Sequence, residues 1–299
     1  MLAAEGGMRS PNTHKEDAMT RGYEEWKALQ NELITLFHED RDACRTLAYE
    51  ARQTAEDPAW KAFWNGYVLW RFEFAPEQAT AAFESALAAQ PDNPLFLLRL
   101  ATILYEKQDY DKAEPMTREA LERDPSLAFG WSLLGIILTK TGDYDGAEVA
   151  LRTSIERGET SYPWRGLGDV LRLRERYGEA LAMYDKAIAL SPHDSGAHHD
   201  RALVLLHMGD FAGAAAAYEQ NLIREPDHVC QVLILYNLCL ACIAWGNTTK
   251  TAIWLNRLQA ISAGDPDHAE TMAGLEQWMR DTMSHMQRLL VGLKRRFLR

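Results

Sequence analysis

Five alanines recur along this chain at an almost constant separation. Ala79, Ala113, Ala147, Ala180 and Ala214 are spaced by 34, 34, 33 and 34 residues. Tyr110, Tyr144, Tyr177 and Phe211 follow at 34, 33 and 34. Pro91 and Pro125 are 34 apart, Pro192 comes 67 later, and Pro226 another 34 beyond. Three independent columns share one period and the same one-residue shortening. A period of this size marks a supersecondary unit that stacks on copies of itself, because one unit alone cannot bury its apolar face.

Each column has a mechanical reading. Alanine belongs where two helices of a hairpin cross closely, since a larger side chain would push them apart. Large apolar residues stand four positions later, at Phe83, Leu151, Tyr184 and Tyr218, one turn along the same helical face. The prolines end the second helix of each pair, because proline cannot continue one. Gly142-Asp143 and Gly209-Asp210 form the turn inside a hairpin. Asp57-Pro58, Asn93-Pro94 and Asp265-Pro266 place a capping side chain before a proline at the first helical position.

On these residues the chain resembles the tetratricopeptide repeat family, whose pattern is Trp-x2-Leu-Gly-x2-Tyr, then Ala-x3-Phe, then Pro. Trp131, Leu134, Gly135 and Leu138 match the first helix, as do Trp164, Leu167, Gly168 and Leu171. Ala79 with Phe83, Ala180 with Tyr184 and Ala214 with Tyr218 match the second. The resemblance implies an all-α, right-handed superhelical solenoid of helix-turn-helix repeats with helical N- and C-terminal caps. Repeats fall at 60–93, 94–127, 128–160, 161–194 and 195–228, with a degenerate sixth at 229–262, in an array spanning 58–262. Some positions depart from the pattern. Thr117 replaces an aromatic, Pro115 predicts a late start or a kink in its helix, and Glu159 replaces the terminal proline. His198, Arg201 and Ala202 replace Trp, Leu and Gly, which predicts a looser fifth repeat.

The flanks are helical without repeating. Residues 1–12 read as a disordered tail and 13–57 as an N-terminal cap. There Tyr23, Trp26, Leu29, Leu33, Leu36 and Phe37 keep a 3.6-residue period, and Cys44, Leu47, Ala48 and Ala51 continue it. The cap is expected to cover the open end of the first repeat. At the other end, 265–299 reads as a long amphipathic helix carrying Met272, Leu275, Met279, Met283, Met286, Leu290, Leu293 and Phe297. It closes on a basic tail, Lys294-Arg295-Arg296-Phe297-Leu298-Arg299. The tail is read as packing on the last repeat, with an acidic partner, anionic lipid or nucleic acid as other readings.

Charge and cysteine content narrow the function. Lys plus Arg number 32 against 43 Asp plus Glu, a net −11 with a pI near 5.3. That sign argues against a general nucleic-acid binder, so no nucleic-acid partner is expected. Four cysteines do not make a disulfide scaffold. Cys239 and Cys242 sit in an apolar helix and read as packed thiols rather than a redox pair. Glu5 interrupts the N-terminus early, no signal segment is read there, and the expected compartment is cytoplasmic. The uncharged run Val229–Trp245 reads as a buried helix, with a membrane span as the lesser alternative.

In the resembled family the first helix of each repeat lines a concave face. Carrying register across places Trp64, Arg71 and Phe72 there from repeat 1, Arg99 and Tyr105 from repeat 2, and Phe129 from repeat 3. Tyr162, Arg165, Asp169 and Arg172 come from repeat 4, and His199 from repeat 5. These give a peptide-binding face, locally basic and aromatic, for an extended or helical segment with acidic and apolar side chains. The family's chaperone-tail clamp, a Lys and two Asn, is not present at Trp64, Val68, Leu98, Thr102, Ser132 or Ile136. His193, Asp194, His198, His199 and Asp200 form a weak metal-ligand pattern without a second ligand set. The chain therefore reads as a non-enzymatic adaptor with no cofactor and no catalytic or metal residues. The alternatives are self-assembly through the C-terminal helix as a homo-oligomer, recruitment to a membrane surface by the basic tail, and a metal-dependent enzyme built on the histidine cluster.

Overall fold

A computed structural model describes residues 22–29, 32–33, 41–158, 160–224 and 228–262. Among these, all regular structure is helical. The 1–12 tail, Leu36, Phe37, Glu159, Pro226 and the amphipathic segment 265–299 with its basic end lie outside the described residues. The chain divides at Thr160 into two compact units.

The first unit begins with a helical stretch over 22–29 (α1). There follow α2 (Arg41–Thr54), α3 (Pro58–Arg71), α4 (Pro76–Ala89), α5 (Pro94–Glu106), α6 (Tyr110–Arg123), α7 (Ala128–Thr141) and α8 (Tyr144–Arg157). The second holds α9 (Ser161–Leu173), α10 (Tyr177–Leu190), α11 (Ser195–His207), α12 (Phe211–Arg224), α13 (His228–Trp245) and α14 (Thr248–Ser262). From α3 onward the helices pair as hairpins, each with a leading and a trailing member, and α2 packs on α3.

The sequence columns map onto this plan. All five column alanines are fully buried on the trailing helices, as are Phe83, Leu151, Tyr184 and Tyr218 one turn later. Thr117 is buried at the same place and returns its hydroxyl to the Ala113 carbonyl at 2.7 Å, so no polar group is stranded. Helix α6 starts at Tyr110, in register with α8, α10 and α12. The late start expected from Pro115 is not seen, because one proline inside the helix gives up a single backbone bond. Asp57 accepts from the N–H groups of Ala59 and Trp60 at 2.8 and 3.1 Å, and Asn93 caps α5 through Leu95 at 3.1 Å. The prolines at 91, 125 and 192 follow the ends of α4, α6 and α10 by two residues.

A fourth column is set by backbone rather than side chain. Phe74, Gln108, Gly142, Glu175, Gly209 and Gly246 all have positive φ, between 51° and 89°, and each sits in a hairpin turn. Three are not glycine, and the left-handed region costs an L-residue about 1–2 kcal/mol. Phe74 adds an exposed ring to that cost.

The first unit's core is aromatic. Phe63 packs on Phe83 at 5.5 Å and on Phe96 at 5.1 Å, and Trp60 meets Phe96 edge-on at 4.8 Å, which ties α3 to α5. The second unit's core sets Tyr218 among mostly aliphatic residues, including Ala202, Leu235, Leu238, Cys239, Cys242 and Leu258. The uncharged run falls on α13 and is largely inside this core. Among the described residues no helix is long and apolar enough to cross a membrane.

Hairpin closeness is acute at Gly168 on α9, where an added Cβ would lie 2.6 Å from the Tyr184 ring on α10. A ring cannot yield as a flexible chain end does. Gly168→Ala is expected to destabilise the protein by about 1–3 kcal/mol through overpacking. Gly178→Ala, with nothing within 4 Å of its Cβ, should be neutral or stabilising by up to about 1 kcal/mol. Urea midpoints at unchanged m-value measure both.

Candidate interaction surface

Each unit's candidate surface builds up from its own leading helices, α3, α5 and α7 in the first and α9 and α11 in the second. Their outward positions carry the residues expected to meet a peptide, and the structure sorts them into three environments.

Trp64 is fully buried, because Trp26 of α1 leans on it at 5.5 Å. Phe72 and Tyr105 are half-buried at helix ends, beside Tyr49 and Tyr110 respectively. Tyr162 is exposed on α9.

Arg99 lies at the centre of the first unit's leading helices. Only 2% of it is exposed, and its guanidinium is 5.3 Å from the Tyr67 ring, 5.4 Å from Trp70 and 5.3 Å from Phe129. Rings from α3 and α7 thus hold a cation from α5 by its faces. Trp70 is fixed in turn by donating to Glu106 at 2.6 Å, and the half-buried Arg71 stacks on it at 4.0 Å. Nε and Nη2 of Arg99 have no hydrogen-bond acceptor among the described residues. Burial pushes the guanidinium down to about 10, with Arg71 adding to the effect against Tyr67 and Glu106, so it stays charged at neutral pH.

The second unit treats its arginines differently. Arg165 donates from Nε to Asp200 at 2.7 Å and lies 3.7 Å from Asp194. Burial opposes its charge, but Asp200 and Asp194 outweigh burial and raise its pKa. Arg172 is 3.5 Å from Asp169, which accepts the Tyr184 hydroxyl at 2.8 Å. Burial and the neighbouring Asp200 raise the Asp169 carboxyl, and the same burial with Asp169 holds the Tyr184 phenol well above its usual range. The expectation that Arg165 and Arg172 make this face locally basic is therefore corrected, because carboxylates of the same unit already engage both. One repeat on from Tyr184, Leu203 stands at the register position of Asp169, and the Tyr218 hydroxyl has no hydrogen-bond partner among the described residues. His199 packs its ring edge against Tyr218 at 5.4 Å, and burial with Arg165 and Arg172 lowers its pKa.

The histidine cluster disperses. Asp194 caps α11 through Ala197 at 3.2 Å, His198 Nε2 contacts the Pro192 carbonyl at 3.0 Å, and Asp200 holds Arg165. Among the described residues no group of three or more acidic, His or Cys side chains could hold a metal ion. Cys239 and Cys242 are buried, and burial pushes the Cys239 thiol up to about 12, far from a reactive thiolate.

Sequence reasoning missed the walls around Arg99, since Tyr67 and Trp70 lie outside the family's usual lining positions. It also missed the reach of α1. Lys27 and Tyr23 hydrogen-bond to Asp124, about a hundred positions along the chain.

Profiles of the tetratricopeptide repeat match residues 73–129, 131–195 and 171–229, together just over half of the chain. The chain belongs to the tetratricopeptide repeat family. It is 28% identical over 159 residues to a repeat-containing protein of Methanocaldococcus jannaschii; the match covers 53% of this chain and 28% of that relative's length. Among solved structures it is similar to PilW, a type IV pilus biogenesis factor, at 20% identity and a TM-score of 0.64, covering 73% of this chain and all of PilW. Pseudomonas aeruginosa pilF aligns at 18% identity and a TM-score of 0.57, over 76% of this chain and 99% of its own. At such identities the likeness concerns fold alone.

The Arg165 pairing generates a contrast. Asp200→Ala removes a carboxylate that is 15% exposed and should destabilise the protein by about 1–2 kcal/mol, less than a fully buried pair because Arg165 keeps a third of its surface. Asp185→Ala breaks the more exposed pair with Arg201 and should stay within about 0.5 kcal/mol. Equal midpoint shifts in urea would contradict this ranking.

Proposed function

We propose that this protein is a non-enzymatic interaction module that holds a segment of a partner protein against the leading helices of its first unit. The observation that supports it most is Arg99. A buried cation with unfilled donors is costly, and proteins ordinarily pair such a group or replace it with an apolar residue. Here the rings give it a flat setting, Glu106 acts on it only from a distance, and it has no ion-pair partner among the described residues. An acidic side chain of a partner would supply one, in a charge-assisted hydrogen bond of about 1.5–3 kcal/mol where water is excluded. Half-exposed Trp70, Phe129 and Tyr105 offer apolar area beside it. Arg165 and Arg172 on the second unit's leading helices are engaged internally, so this proposal places the acid-recognising charge at Arg99, with Arg71 beside it.

Peptide display on the full-length protein tests this. Selected peptides should be rich in acidic and apolar residues and bind Arg99→Met at least about tenfold more weakly. The same variant should be as stable as the parent or more so, because it removes an uncompensated buried charge. Lower stability with unchanged peptide binding would make Arg99 a packing residue and overturn the proposal.

A further inference from the structure

Helix α1 reaches beyond the first hairpin of its unit. Trp26 stacks on Trp60 with ring centroids 5.5 Å apart and planes at 27°, and leans on Trp64 at 5.5 Å; both partners are on α3. The next residue, Lys27, donates from Nζ to Asp124 Oδ2 at 2.7 Å and to Ser126 Oγ at 2.8 Å. Tyr23 donates its hydroxyl to the same Asp124 oxygen at 2.8 Å. Asp124 and Ser126 lie between α6 and α7. The helical stretch 22–29 therefore reaches from the first leading helix to the approach of the third.

Tyr23, Trp26 and Lys27 stand at i, i+3 and i+4, so they share one face, while Glu24, Glu25 and Ala28 are exposed. This is how an amphipathic helix lies in a groove. The ion pair is well covered, with both side chains 16% exposed. Burial opposes ionisation of Asp124, yet Lys27, Ser126 and Tyr23 overcome it and hold the carboxyl down at about 2. These contacts and the covalent tether hold the described stretch of α1 in place.

We infer that α1 is the resident occupant of a helix-binding surface made by Trp60, Trp64, Asp124 and Ser126, and that a partner helix with an aromatic residue, a tryptophan three positions on and a lysine next displaces it. The inference rests on the reading that the first unit binds a partner segment, and adds the chemistry of one end of that segment and a competitor for it. Covalent linkage gives α1 an effective concentration of order millimolar, so the unaltered protein admits only ligands that outcompete it.

The probe is a fluorescein-labelled peptide of residues 20–34, titrated against full-length protein by anisotropy. The variant Trp26→Ala/Lys27→Glu, which frees the surface, should bind it at least about tenfold more tightly than the parent. Adding Asp124→Lys should abolish the gain, and a peptide carrying Lys27→Glu should recover binding to that triple variant. Equal affinity for parent and released protein, a gain that survives Asp124→Lys, or unfolding of the released variant in circular dichroism would overturn the inference. So would a parent dimer dissolved by Lys27→Glu, since that would make a second copy's α1 the occupant. Tight binding of this probe beside unchanged peptide selection by Arg99→Met would sink the Arg99 reading and leave this one standing. Normal Arg99-dependent selection without release would do the reverse.

Discussion

The close crossing of two helices at a buried alanine is the constraint on which every hairpin rests. With Ala79, Ala113, Ala147, Ala180 or Ala214 at the contact, the trailing helix comes near enough for the next large side chain to fill the space against the leading one. At α9 and α10 the approach is so close that only glycine fits opposite the Tyr184 ring. That closeness fixes which faces of the leading helices turn away from the trailing ones, and so which side chains reach a common surface.

Two buried arginine environments in one chain show what such surfaces can hold. In the second unit, Asp194, Asp200 and Asp169 settle Arg165 and Arg172, and the result is a structural network. In the first, Arg99 receives aromatic faces in place of carboxylates, and two of its nitrogens have no acceptor among the described residues. Burial with pairing serves stability, whereas burial without it sacrifices stability and leaves a directional charge in place. The contrast is the reason the proposed function assigns recognition to the first unit, although both carry arginines on their leading helices.

The hairpins were legible in sequence because their cause is side-chain size repeated at fixed spacing. The turn column was only half legible. Gly142 and Gly209 announce a left-handed residue, but Phe74, Gln108 and Glu175 occupy the same conformation without the type that signals it. Pro115 misled in the opposite direction, since one proline is absorbed by a helix that both flanking contacts hold in place. The surface was harder still. Register placed Trp64 and Arg99 on an open face, yet whether such a residue is exposed depends on what another segment lays over it, and Trp26 and the rings of Tyr67, Trp70 and Phe129 come from elsewhere in the chain. Counting arginines could not reveal that Asp200 and Asp194 had already engaged Arg165.

The central proposal is that Arg99, which has no ion-pair partner among the described residues, is the charge that meets a partner's carboxylate. Arginine Nε–H resonances observed by NMR on the full chain, before and after addition of a bound acidic peptide, test it most directly. The account predicts that the Arg99 resonance moves and gains protection from exchange while those of Arg165 and Arg172 stay in place. Movement of Arg165 and Arg172 with an unchanged Arg99 would contradict it.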